Sequence, residues 1–404
     1  MRINAVVCRV IRQFLRDKRT LALLIIAPML VLTLMSFVFT DEDTTLNIGV
    51  ENSNVKEILS SMDKDNKINI MSKKEAEQKF ENKDLDAYIS GDEKELNILL
   101  NGVIKSGDHI ITPSMEHNSV IRPIYNLKNI LNIDIDIVQA NSLGIVDIND
   151  IKNLIKPNTK LIVMTHASNV AGSIQPIKQI GDLCNELGIF FILDSAQSAG
   201  VLDINFKELS LSALAFTGHK SLLGPQGIGG FIIDDKLNEV CHPLILGGTG
   251  SLSHSLTQPD FLPDKFESGT LNIPGIIGLH EAIKFIKSEG LNTIYEHNSY
   301  LRSYLIAGIL NIPNYTISGA LDRKSATSCV SITHSKLDVS ELSYILESDF
   351  NISNRSGLHC APLAHKTIGT YPNGTVRLSL GYFNTLEEIK YTIDSLNKIN
   401  SIYK

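Results

Sequence analysis

Three side chains in this sequence have the types and settings for covalent chemistry. Lys220 lies in AFTGHKSLLGPQGIGG, just past an apolar strand-like run, with Thr217 and His219 beside it and a Gly/Pro-rich loop after it. Taken alone, such a lysine reads better as a solvated loop residue. Asp194 ends the apolar run FFILD, and a carboxylate at the mouth of a buried strand needs a partner to offset its desolvation. A lysine that forms a Schiff base and an aspartate that pairs with a pyridinium nitrogen are the two defining groups of a pyridoxal-phosphate site. Their separation of 26 residues suits neighbouring strand ends in one sheet. Cys360, in GLHCAPL, is the third. The five cysteines (Cys8, Cys184, Cys241, Cys329, Cys360) are widely spaced and form no CxxC or Cys/His cluster. A metal site or disulfide framework is therefore not expected, and reduced thiols are. The other four read as small buried hydrophobes.

The elements that position these groups follow from hydrophobic patterning. Short β-rich runs at 109–112, 133–138, 160–165, 190–194, 214–217 and 229–233 alternate with helical patterns, such as 175–188 ended by Gly188. That alternation predicts an α/β domain with a largely parallel sheet. Functional groups in such sheets collect at the strands' carboxyl ends, and the polar clusters MEHN, THASN, DSAQS and TGHK all fall there. After about residue 290 come a long helix, the short strands YTIS, SCVSIT and TVRLSL, and a closing helix capped near Asn384. These predict a smaller α+β domain.

Six ordered motifs then carry a resemblance: SMEHNSV, ASNVAG, DSAQSAG, FTGHKSLLGPQGIGG, FESGTLNIPG and RSGLHCAPLAHKTIGTYPNGTVRLSLGYFNT. Through them, residues 96–404 resemble the cysteine desulfurase/selenocysteine lyase branch of the class V aminotransferases. The resemblance implies a fold type I pyridoxal-phosphate-dependent transferase, with a cofactor-binding large domain over 96–290 and a small domain over 291–404. It implies that Lys220 binds the cofactor aldehyde and then moves the substrate's Cα proton. Asp194 would hold the ring nitrogen protonated, Asn169 and Gln197 the phenolic oxygen, and Thr217 and His219 the phosphate. His117 would stack on the ring and assist proton transfers, and Thr270 would reach the phosphate of a neighbouring subunit, which implies a homodimer. Cys360 would take sulfur from the substrate cysteine as a persulfide, with His359 alongside favouring its thiolate. Arg377 would clamp the substrate carboxylate, with Arg355 serving the same pocket or the small domain. L-cysteine or selenocysteine and a sulfur-acceptor protein are the implied partners. From residue types alone, His117, Cys360 and Arg377 read equally as a satisfied histidine, a buried inert thiol and a salt-bridge arginine.

The first part of the chain has another character. Residues 1–40 carry Arg2, Arg9, Arg12, Arg16, Lys18 and Arg19 against Asp17, and residues 20–40 hold 21 positions without a charge. At 1.5 Å per residue that run reaches about 30 Å, the thickness of a bilayer's hydrocarbon core. A single membrane span with the N-terminus in the cytoplasm is expected, although the parent enzyme type is cytoplasmic. Residues 1–95 resemble the start of ABC-2-type transporter permeases: a basic helix and span over 1–40, then an extracytoplasmic segment over 41–95. No ATP-binding motif accompanies them.

The two resemblances meet at a break in register. Desulfurases carry a phosphate-binding turn, Asn-Ala-Thr-Glu-x-Leu-Asn, at the start of a helix, where amides and dipole hold the anion. The corresponding stretch here runs from Gly91 to Asn97, with Glu93 in the threonine's place and Asp92 before it. Two carboxylates there would repel a phosphate. These observations predict a chimeric reading frame joined near 93–101. The alternative to an active enzyme is a membrane permease fragment with no catalysis of its own. The overall charge of −7 gives no reason to expect nucleic-acid binding. It averages a cationic head, an acidic segment over 41–100 and a mildly acidic body.

Overall fold

The computed structural model describes residues 94–403, together with three short strands before them: β1 (Asn47–Val50), β2 (Lys67–Ile70) and β3 (Ala87–Ile89). The chain divides into two compact units, Met1–Asp92 and Glu93–Lys404. In the first, β1 pairs in parallel with both β2 and β3. The basic helix and membrane span expected over 1–40 lie outside the described residues, as do Asp92 and Glu93. Among the described residues, no helix is long and apolar enough to cross a membrane.

The second unit begins with helix α1 (Lys94–Val103) and then alternates strand and helix. Strands β4 (His109–Pro113), β5 (Asp134–Val138), β6 (Thr159–Thr165), β7 (Phe190–Asp194), β8 (Ala213–Thr217) and β9 (Gly229–Ile233) form one sheet in the order β5-β4-β6-β7-β8-β9. All pairings are parallel except β8 with β9. The six strands fall where the apolar runs predict them.

The sheet is buried on both faces because successive side chains point to opposite sides. Ile110, Leu161, Val163, Ile192, Ala213 and Ala215 face one core, filled by Leu96, Leu99, Leu100 and Val103 of α1 and by Val120, Ile124 and Leu127 of α2 (Asn118–Leu131). Their neighbours Ile111, Ile162, Met164, Phe191, Leu193 and Leu214 face the other core, with Ile177, Ile180 and Cys184 of α4 (Ile177–Leu187) and Ile151 of α3 (Ile148–Leu154). Gly188 ends α4 in the left-handed region at φ 67°, as a C-terminal glycine should.

A short α5 (Asp235–Val240) and a long loop lead to α6 (Ile273–Glu289) and α7 (Leu291–Leu310), which join at Gly290. The smaller domain is a four-stranded antiparallel sheet in the order β10-β11-β13-β12, from β10 (Tyr315–Ser318), β11 (Cys329–His334), β12 (Arg355–Gly357) and β13 (Thr375–Ser379). Residues of α7, α8 (Val339–Ser348) and α10 (Leu386–Ile402) share one core with it, among them Leu305, Leu342 and Leu396. The short α9 (Pro362–Thr367) follows β12. The closing helix is capped by Thr385 rather than Asn384: Thr385 and Glu388 make a reciprocal capping box, and Asn384 supports the Glu388 carboxylate.

Candidate active site

The carboxyl ends of four strands supply the site. β4 leads to His117 at the N-cap of α2, and β6 leads to Asn169. β7 ends on Asp194 and turns into Gln197, while β8 ends on Thr217 and leads to Lys220. Side chains of His117, Asn169, Asp194, Gln197, Thr217 and Lys220 all line one cavity with about 460 Å³ of empty space, including its mouth. The structure thus gathers six of the residues expected from sequence. His219 and Thr270 are exposed and lie outside that lining.

His117 is held by its own helix. Its Nδ1 accepts the Ser119 N–H at 3.2 Å and lies 2.9 Å from Ser119 Oγ. With Nδ1 accepting, the neutral ring carries its proton on Nε2. The next backbone N–H, of Asn118, donates to the Cys360 carbonyl at 2.8 Å. This bond ties the Cys360 loop to the start of α2.

The Cys360 thiol hydrogen-bonds the His117 side chain, and Arg355 Nη2 donates to its sulfur at 3.4 Å. These contacts pull the thiol down to about 7, His117 contributing most and Arg355 less, against partial burial. A half-ionised thiol near neutrality is a competent nucleophile. Both His359 and Cys360 adopt left-handed backbone, at φ 49° and 58°, a conformation non-glycine residues enter only when the surroundings enforce it.

His359 has a different place from the one expected. It is buried, with Nε2 3.0 Å from Thr375 Oγ1, and its carbonyl accepts Asn169 Nδ2 at 2.6 Å. Burial, followed by the charge of Arg377, pushes its imidazole down to about 3. It therefore stays neutral and positions backbone, while His117 and Arg355 act on the thiol. The left-handed turn at 359–360 separates the two adjacent side chains.

Arg377 enters from β13 and donates Nη1 to the Asn169 carbonyl at 2.8 Å. Its Nε is buried with no hydrogen-bond partner. A guanidinium N–H in that state is costly unless an acceptor arrives, as a bound carboxylate would. Arg355 is the direct cross-strand partner of Arg377, so two cations stand beside Cys360.

Two buried groups behind the cavity were not singled out from sequence. Glu116 is fully buried; its Oε1 accepts the Thr165 N–H and its Oε2 has no partner. Burial first, then the charge of Asp194, raises its carboxyl well above the usual range, which favours the protonated form. His166, 4% exposed, donates its backbone N–H to the Asp194 carbonyl, and burial pushes its ring down to about 4. The available signal was position: His166 directly follows β6, and Glu116 falls in the MEHN cluster three residues beyond β4.

The lining fits pyridoxal phosphate at the ring. Asp194 is 5% exposed and accepts the Ala196 N–H through Oδ1; a carboxylate at that depth suits a protonated ring nitrogen. The Asn169 and Gln197 amides suit a phenolic oxygen, and the Lys220 amine suits an aldehyde. Thr217 also lines the cavity and carries a hydroxyl, and Leu96 of the first turn of α1 lines it too. Glu95 of that turn, however, also lines the cavity.

Comparison with known proteins places this geometry among relatives. The family "Aminotransferase class-V" matches residues 51–392, beginning upstream of the six motifs. A probable cysteine desulfurase of Methanothermobacter thermautotrophicus is 33% identical over 309 residues, covering 75% of this chain and 76% of that protein. One from Pyrococcus abyssi is 32% identical over 324 residues, covering 78% of each. The apo structure of cysteine desulfurase from Thermococcus onnurineus NA1 superposes with a TM-score of 0.71 at 32% identity, covering 76% of this chain and 77% of that one.

Proposed function

The chain belongs to the class V aminotransferase family, and we propose that it is a pyridoxal-phosphate cysteine desulfurase that converts L-cysteine to L-alanine and leaves a persulfide on Cys360. The observation that carries this reading is the Cys360 thiol itself, held by His117 and Arg355. A lyase that merely eliminates sulfur needs no nucleophile there. Relatives described as cysteine desulfurases at about a third identity support the same choice.

When bound, the cofactor supplies an aldehyde for the substrate amine and a ring that withdraws electrons from the substrate Cα. Lys220 Nζ would hold the cofactor aldehyde before substrate arrives and afterwards carry the Cα proton. Asp194 would keep the ring nitrogen protonated, and the raised carboxyl of Glu116 would disfavour a second buried negative charge beside it. Arg377 Nε meets the substrate carboxylate. Cys360 Sγ attacks the substrate sulfur, taking it as the sulfur–carbon bond breaks, and His117 Nε2 holds a proton beside that sulfur. Thr270, exposed in the single chain, is assigned to the neighbouring subunit's phosphate in a homodimer, and His219, with Thr217, to the phosphate held in this chain's own cavity.

The reading of residues 1–95 as permease-derived, with a span over 20–40, belongs to this proposal. Its support is the uncharged run and the division of the chain at Asp92/Glu93, where the motif register breaks; the family match from residue 51 weighs against a join as late as 93. Large domain 96–290 and small domain 291–404 meet at Gly290 between α6 and α7.

Incubation of the purified chain with pyridoxal phosphate and L-cysteine tests the function. Alanine should form, and Cys360→Ala should abolish most of it while leaving cofactor binding unchanged. Full turnover by that variant would indicate a selenocysteine lyase or another eliminating lyase. No alanine from either protein would favour the non-catalytic membrane fragment.

A further inference from the structure

Three residues stand in one row across the small sheet. Ser331 of β11 is the cross-strand partner of Arg377 of β13, and Arg377 is in turn the partner of Arg355 of β12. Register partners carry their side chains on the same face, and this row meets the active site at three points. Ser331 Oγ donates to the Val170 carbonyl at 2.6 Å, Arg377 Nη1 to the Asn169 carbonyl at 2.8 Å, and Arg355 Nη2 to the Cys360 sulfur at 3.4 Å. The two arginines have assigned tasks. Ser331 has none, yet it is fully buried between Val330 and Ile332, which face the apolar core.

The carbonyls held by Arg377 and Ser331 belong to consecutive peptides. On the amide side, the N–H groups of Val170 and Ala171 both reach Ser168 Oγ at 3.2 Å. Each peptide is thereby held at both ends, by one hydroxyl of the large domain and by the row from the small sheet. Peptides are rigid planes joined by two soft dihedrals, so fixing the Val170 carbonyl limits how the Asn169 carbonyl can turn. Arg377 commits Nη1 to that oxygen, while its buried Nε has no partner. The place of the Asn169 carbonyl therefore decides where Nε points.

Given Arg377 as the arginine for the substrate carboxylate, as read above, we propose that Ser331 is a positioning residue for substrate binding. By fixing the Val170 carbonyl it aims the Arg377 guanidinium and leaves Nε for the carboxylate. A serine that only supports the fold would affect every ligand alike. One that aims Arg377 acts on ligands that carry a carboxylate.

The test titrates the pyridoxal-phosphate-loaded full chain with L-alanine and with ethylamine, which is L-alanine without its carboxylate, following the absorbance of the bound cofactor. Ser331→Ala leaves Cys329 Sγ 3.8 Å from the Val170 carbonyl, so that oxygen keeps a donor. The variant should weaken L-alanine by roughly fivefold, the worth of one neutral hydrogen bond, and change ethylamine by less than about twofold. Ser331→Thr keeps the hydroxyl and should restore L-alanine binding. In an Arg377→Gln background, Ser331→Ala should add less than about twofold, because residues that act through each other are not additive. If the alanine variant unfolds, Ser331→Cys, which keeps a weaker donor, should shift the same ratio in the same direction. An unchanged L-alanine-to-ethylamine ratio in folded Ser331 variants, with Arg377→Gln still selective against L-alanine, overturns the role of Ser331 alone. If Arg377→Gln also leaves the ratio unchanged, the carboxylate assignment of Arg377 fails and this inference with it. A chain that takes up no pyridoxal phosphate overturns the cofactor reading and this inference together.

Discussion

Arg355 and Arg377 sit directly opposite each other across β12 and β13. Facing like charges weaken a sheet, so the pair needs anions to be worth keeping. Arg355 points one N–H at the Cys360 sulfur, and Arg377 keeps a buried N–H without a partner. Arg355 is thus placed to favour a thiolate, and Arg377 is the arginine proposed for the substrate carboxylate; the cross-strand register sets the spacing between the two.

The thiol should ionise early. Alkylation of Cys360 in the unsubstituted chain should rise through a midpoint near pH 7, against an ordinary value of 9.0. Replacing His117 with Ala removes the larger stabilising contact and Arg355→Ala the smaller. Both midpoints should move upward, His117→Ala further, as read by the pH dependence of iodoacetamide labelling. Equal midpoints in all three proteins would mean that neither group acts on the sulfur.

Arg377 should act on substrate binding. Losing a charge-assisted bond to a carboxylate costs about 1.5–3 kcal/mol, so Arg377→Gln should raise the KM for L-cysteine by roughly tenfold or more. Cysteamine, which lacks the carboxylate, should discriminate poorly between the two proteins. A variant that loses both substrates equally would point to a structural role at the Asn169 carbonyl.

Glu116 links stability to pH. Its carboxyl is raised in the folded state by burial and by Asp194, so the folded protein binds a proton that the unfolded chain releases. Its contribution is full below about pH 4.3, the ordinary glutamate value, and is lost as pH rises through the raised folded value. Glu116→Gln mimics the protonated carboxyl and should make Tm fall less as pH rises above about 4.3. Glu116→Ala leaves the Thr165 N–H unpaired and should cost about 1–3 kcal/mol at any pH. Both effects are measurable by thermal unfolding.

Much of the architecture was legible because a parallel sheet covered on both faces demands short, near-continuous apolar runs, and these runs stand out in the sequence. All six strands of the large sheet fall on runs visible in the sequence, and the polar clusters after them line one cavity. What escaped depends on tertiary geometry. Adjacency suggested His359 as the partner of Cys360, but two consecutive left-handed residues turn it to Thr375. Three-residue β12, which brings Arg355 to the thiol, is too short to show a period. The register break drew attention to Asp92 and Glu93, whereas Glu95 is the carboxylate of the described helix start that lines the cavity, alongside Asp194. Glu116 carried no sequence pattern that marks a raised carboxyl; the shift comes from burial beside Asp194.

The central claim is that Cys360 takes the substrate's sulfur. The direct measurement is mass analysis of the Cys360 peptide after the pyridoxal-phosphate-loaded chain has met L-cysteine labelled at sulfur and excess reagent has been removed. The account predicts one added labelled sulfur on that peptide, removed by a thiol reductant and absent from Arg377→Gln at limiting substrate. Alanine formed in full yield with no label on Cys360 would contradict it.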